Sequence, residues 1–131
     1  MKLERKNYGS GAPLEDKAGY SRMVAVGPFV KIGGTTSVLP DGSVYGENDA
    51  YAQTKFVLEK FAGLLKQAGA GIKDVVSVKV YATDMKHGAE IARAYSEMFF
   101  DVRPLFTVVG TTALNRPTQL VEIELEAIIA E

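Results

Sequence analysis

The 131-residue chain contains no cysteine, no tryptophan and a single histidine, His87. Without thiols there are no disulfides, thiolate nucleophiles or sulfur-ligated metals. With one imidazole no site can be built on two, and His87 is expected to be an exposed residue near the start of a helix, without a role. There is no long apolar run either. No segment approaches the ~20 apolar residues of a membrane span, and the opening "MKLERKNYGS" lacks the apolar centre of a signal peptide, so a cytoplasmic protein that avoids membranes is expected. Neither sign of charge is in excess: 15 Lys and Arg stand against 16 Asp and Glu, for a net charge of −1. The basic residues are scattered and form no stripe along which a phosphate backbone could lie, so nucleic acid is not an expected partner. The glycine pairs Gly33-Gly34 and Gly69/Gly71 lack the spacing of a P-loop or dinucleotide fingerprint. Ser37, Ser77 and Ser96 have no evident base, which leaves serine nucleophile chemistry little support.

What is present is an ordinary globular composition, 47% hydrophobic and 24% charged, in a length suited to one domain over residues 1–131. "GYSRMVAVGPFVKIGGTT" reads as two strands, Tyr20–Val26 and Phe29–Thr35, turned at Gly27-Pro28. From Asp49 to Ala68, Thr54, Leu58, Phe61, Leu65 and Ala68 recur at helical spacing; Asn48 or Asp49 can cap the start and Gly69 the end. "DVVSVKVYATD" alternates, with Val76, Val78 and Val80 predicted on one face and Ser77, Lys79 and Tyr81 on the other. Asp84 can cap a second helix carrying Gly88, Ile91, Ala92, Tyr95, Met98 and Phe99 on one side. "LFTVVGTT" and "VEIELE" are further strands. The order predicts an α+β fold with both helices on one face of a mixed sheet.

"VEIELE" raises a question of its own. Glu122, Glu124 and Glu126 share one face of that strand, while Val121, Ile123 and Leu125 share the other. If the apolar rows meet the helices, the opposite face carries these carboxylates with Lys79, Tyr81 and Thr107, and needs either water or another subunit. A closed oligomer would shelter it. A carboxylate screened there and held near an arginine, Arg22 or Arg93, is a candidate base or ligand anchor; the alternative is a solvated edge. Gly33-Gly34 inside a strand indicates either a bulge or room for a ligand.

Taken together, "GYSR", "GGTT", "YAQTKFVLEKFAGLLKQAGAGIKDVVSVKVYATD" and "VEIELEAI" resemble the YjgF/RidA family of reactive intermediate deaminases, over most of the chain from Gly19 to Ile128. The resemblance implies a chorismate-mutase-like fold and a homotrimer with small-molecule clefts between subunits. It also implies hydrolysis of reactive enamines or imines to a keto acid and ammonia without metal or cofactor. Carried over residue by residue, Glu124 positions water, while Tyr20 and the Gly33-Gly34 backbone line the cleft. Arg93 matches a helix residue that is usually asparagine. The departure lies in "RPLFT", where Phe106 replaces the arginine that grips the substrate carboxylate and Thr107 follows it. Gly33 likewise removes a serine hydroxyl. A guanidinium offers a carboxylate two charge-assisted hydrogen bonds that phenylalanine cannot supply. The resemblance therefore leads to a divergent deaminase in which Arg93 or Arg22 supplies the cation for a carboxylate or imine ligand. Phe106 is either a cleft wall or interface packing, and Arg93 has the alternative of pairing with surface glutamates. A trimer that binds a metabolite or partner without catalysis is the rival reading, and an endoribonuclease a weaker one.

Overall fold

A hairpin organises one half of the sheet. Strand β2 (Met23–Val26) runs into β3 (Phe29–Thr35) through Gly27, whose φ of 58° suits a residue without a Cβ. In the computed structural model, which describes residues 2–130, β1 (Arg5–Tyr8) adds to the outer edge of this hairpin. A short helix, α1 (Pro13–Ala18), follows it. Neither element is expected from the sequence. β1 is polar, and α1 is too short for its spacing to register; both are held by what they pack and pair against.

The long helix α2 (Ala50–Gln67) leads to β4 (Val75–Ala82), helix α3 (Gly88–Phe99), β5 (Leu105–Gly110) and β6 (Val121–Ile128). One six-stranded sheet results, in the order β1-β2-β3-β6-β4-β5. The last strand is thus central, antiparallel to both β3 and β4, while β4 and β5 are parallel and joined through α3. A parallel pair requires such a crossover. The expected α+β class, with both helices over one face, is the one observed.

Local chemistry sets the helix ends. The Asp49 carboxylate accepts from the Ala52 amide at 3.0 Å, and Gly69, at φ 78°, closes the other end of α2. Asp84 caps a 3-10 turn, Met85–His87, by accepting from the Lys86 amide, and that turn opens into α3. His87 departs from expectation. It is half-buried, and its Nδ1 lies 3.6 Å from Glu90 Oε1 one turn on.

The core lies between the helices and the inner sheet face: Phe61, Leu58 and Leu65 of α2, Ile91 and Phe99 of α3, and Met23, Ile32, Ile123 and Leu125 of the sheet are all fully buried. Burying each such side chain contributes about 1.5–3 kcal/mol. The alternation in β4 needs one correction. Val75 is buried and Val76 exposed, because a bulge shifts the β4–β6 register between Val75 and Ser77. The inserted residue turns Val76 outward. Among the described residues no helix is long and apolar enough to cross a membrane.

Candidate functional site

The helices leave the other sheet face open, and the register fixes what stands on it. Glu126 is the cross-strand partner of Lys31 and Ser77, Glu124 of Lys79, and Glu122 of Tyr81. One strand farther, Lys79 is the partner of Thr107. The three carboxylates are not equivalent. Glu126 lies 3.5 Å from Lys31 Nζ in an exposed pair of the kind that contributes little to stability. Glu122 folds over Gly34, where a Cβ would sit 2.9 Å from its Oε2. Glu124 accepts a hydrogen bond from Tyr81 Oη at 3.1 Å, and Lys79 Nζ lies 5.1 Å from the centre of the Tyr81 ring. A shallow groove of about 340 Å³ beside Glu124 is lined also by Arg22, Lys31, Gly33 and Glu126.

Gly33 and Gly34 form a bulge, where the β3–β6 register shifts between Ile32 and Thr35. Arg22 braces it. Its Nη1 donates to the Gly34 carbonyl at 2.6 Å and to Thr35 Oγ1 at 3.0 Å, and its Nη2 lies 3.8 Å from Glu15 Oε2. Glu15 is buried on α1 and also accepts from the amide (2.9 Å) and hydroxyl of Ser10. The Ser10 hydroxyl, its amide and Arg22 together hold this carboxyl below its ordinary value of 4.5 against the opposing effect of burial. Tyr20 follows directly from α1; its backbone amide donates to the Glu15 carbonyl at 3.0 Å, and its exposed ring lies 5.8 Å from the Arg22 guanidinium carbon. The Glu15–Arg22 contact thus joins Tyr20 to the glycine bulge.

This pairing carries a pH signature. A carboxyl whose folded value lies below its unfolded value adds stability that is fully present above the unfolded value and is lost as pH falls through the folded one. Glu15→Gln is therefore expected to lower the melting temperature at pH 7, and the gap to the wild type should close as pH falls below about 4.5. Melting curves from pH 7 to pH 3 check it; a gap independent of pH would show that Glu15 acts through shape alone.

Arg93 and Phe106 lie elsewhere in the protomer. The Arg93 guanidinium carbon stacks 3.8 Å from the centre of the Tyr51 ring on the outer surface of the helices, beside Glu97, which accepts from Tyr51 Oη at 2.5 Å. Phe106 is the partner of buried Val78 and stacks on Tyr95 of α3, with ring centroids 3.9 Å apart and planes within 10°. Both residues are on the helix side of the sheet and Glu124 is on the other. Within one protomer the structure brings together Glu124 and the Arg22-braced glycine bulge, with Tyr20 at its rim and Thr107 on the strand beyond Lys79. It does not bring Arg93 or Phe106 to them. Within the single chain Arg22 is held by Glu15, Gly34 and Thr35, and Arg93 lies against Tyr51.

Tyr81 and Glu15 were not among the residues singled out for the site. Tyr81 was legible, since it shares a strand face with Lys79 in a register the alternation implies. Glu15 was not, because its partners Ser10 and Arg22 converge only through the path of α1. Among the described residues no three His, Asp or Glu side chains converge as metal ligands would.

The profile of the family described as Endoribonuclease L-PSP matches residues 11–129. An uncharacterised protein of Streptomyces coelicolor is 34% identical over 118 residues, covering 90% of this chain and 87% of its own. A RutC family protein of Pyrococcus abyssi is 35% identical over 109 residues, covering 83% and 84%. Among solved structures, a Mycobacterium tuberculosis member of the YjgF/YER057c/UK114 family superposes with a TM-score of 0.86 at 36% identity, over 96% of this chain and all of that one. Fold and sequence agree, and the chain belongs to the YjgF/RidA family, the group whose profile carries the description Endoribonuclease L-PSP.

Proposed function

We propose that the chain assembles as a homotrimer in which a second copy covers part of the open face, and that the resulting cleft hydrolyses a small imine or enamine at Glu124. The observation that carries this reading is the Tyr81–Glu124 hydrogen bond, which holds one carboxylate oxygen in place beside the exposed glycine bulge. The other oxygen is left to orient water. Apolar residues around the carboxylate row, Phe29, Ile128, Val76 and Leu105, are exposed in the single chain, as a face that closes against another subunit requires. Phe106 and Glu124 lie on opposite faces of one protomer, so a cleft containing both must draw them from two copies. Phe106 and Tyr95 of the second copy would then form a flat aromatic wall.

The chemistry is a hydration followed by an elimination. Glu124 takes a proton from water as the water oxygen bonds to the carbon of the protonated imine, giving a carbinolamine. The same carboxyl gives that proton to nitrogen, the C–N bond breaks as the hydroxyl proton passes back to the carboxylate, and ammonia leaves with a carbonyl product. An enamine first tautomerises to the imine. A ribonuclease reading is less well supported, since the basic residues form no stripe along which a phosphate backbone could lie.

Release of ammonia and keto acid from freshly generated 2-aminoacrylate and 2-iminopropionate, with and without protein, tests the reading. Acceleration over the protein-free control is expected. Stabilisation of the fold by small carboxylates with no acceleration would replace it with the binding-module alternative.

A further inference from the structure

The family arginine is replaced by Phe106, and Arg22 and Arg93 are both engaged, so a ligand's acidic group needs another cation. The geometry points to Lys79 as the residue that binds the acidic group of the ligand, in place of the arginine that Phe106 replaces. This rests on the hydrolytic reading of Glu124 and deepens it.

Lys79 is the direct cross-strand partner of Glu124, on the open face of a central pair of strands. The other basic groups near the groove already have partners: Lys31 has Glu126, Arg22 has Glu15, and Arg5 donates to Asn7. Among the described residues Lys79 takes part in no ion pair. Its ammonium instead lies over the ring of Tyr81, the residue whose hydroxyl holds Glu124. Its three donors are thus committed to no carboxylate among the described residues.

Ammonium, phenol and carboxylate thus stand side by side on adjacent strands whose axes are about 4.8 Å apart. A small acid laid across the two strands would set its carboxylate at Lys79 and its reacting carbon over Glu124. An ammonium is a compact charge on a flexible stem, where a guanidinium is a planar fork. Lys79 should therefore accept carboxylates in more than one orientation. It also offsets the repulsion that Glu122, Glu124 and Glu126 would exert on an anion.

The test uses pyruvate as an acidic probe and pyruvamide as its uncharged counterpart, with binding followed by ligand-observed NMR on the intact oligomer. Lys79→Gln is expected to weaken pyruvate binding by about tenfold or more, the scale of losing one hydrogen bond to a charged group. Pyruvamide binding should not change. Lys79→Arg should recover most of the affinity, and added salt should weaken the wild type more than Lys79→Gln. In turnover of 2-iminopropionate, Lys79→Gln should raise KM while leaving kcat within a few-fold. Pyruvate binding by a folded Lys79→Gln equal to that of the wild type would overturn the proposal for Lys79 and leave the role of Glu124 standing. A wild type that neither binds pyruvate nor accelerates hydrolysis would overturn both.

Discussion

Glu124→Gln should reduce imine hydrolysis by about two to four orders of magnitude, the usual contribution of a positioned general acid–base group. The amide is nearly isosteric and can still accept from Tyr81 Oη, so the fold and the occupied groove should persist. It cannot take a proton from water at neutral pH. The loss should therefore fall on kcat, with KM changed little. Tyr81→Phe is a milder lesion on the same line: it removes the hydrogen bond at 3.1 Å, leaves the carboxylate free to rotate, and should cost about tenfold in kcat. Single-turnover ammonia release by both variants measures these effects. Turnover by Glu124→Gln at the wild-type rate would remove Glu124 from the chemistry.

Gln53→Leu should cost about 2–3 kcal/mol of stability. Gln53 is fully buried on α2, and its amide is saturated. Nε2 donates to the carbonyls of Gly46 at 2.9 Å and Thr118 at 2.8 Å, and Oε1 accepts from the Leu120 amide at 2.9 Å. These contacts join the loop after β3 and the loop before β6 to the first turn of α2. Leucine matches the volume but leaves the buried Leu120 amide without a partner, at about 1–3 kcal/mol, and takes one of two donors from each carbonyl, since Gly46 keeps the Asp49 amide and Thr118 the Asn48 amide. Against a total of about 5–15 kcal/mol this is a large fraction, and melting should fall by roughly 5–15 °C. Gln53→Glu is the informative companion. It keeps an acceptor for Leu120 but cannot donate to either carbonyl, so it should be at least as destabilised at pH 7. Thermal unfolding followed by circular dichroism checks both; a shift of only a degree or two would mean that water can replace the amide.

Neither variant could have been ranked from the sequence in the same way. "VEIELE" singles out Glu124 through alternation, because a period of two is a property of the strand itself and survives any tertiary arrangement. Gln53 falls inside a helix whose apolar spacing is clear, and nothing in that spacing distinguishes a buried glutamine from one on the polar side. Its importance comes from carbonyls that lie 7 and 65 residues away along the chain. Val76 shows the same limit within a strand. Alternation placed it with Val78, and one bulge moved it to the other face.

By itself the sequence determined the α+β order, the hairpin at Gly27-Pro28, the caps and span of α2, the apolar and carboxylate faces of β6, and the family. All of these follow from short-range periodicity, capping chemistry and the ordered combination of motifs, which need no knowledge of what meets what. Only the tertiary structure decided that β6 is central, that Arg22 is spent on Glu15 and the Gly34 carbonyl, that Arg93 and Phe106 lie behind the sheet from Glu124, and that Tyr81 and Lys79 flank it. Those are facts of register and of side-chain competition. A cation's availability depends on which carboxylates and carbonyls the fold brings within reach, and a face is fixed only when every bulge before it has been counted.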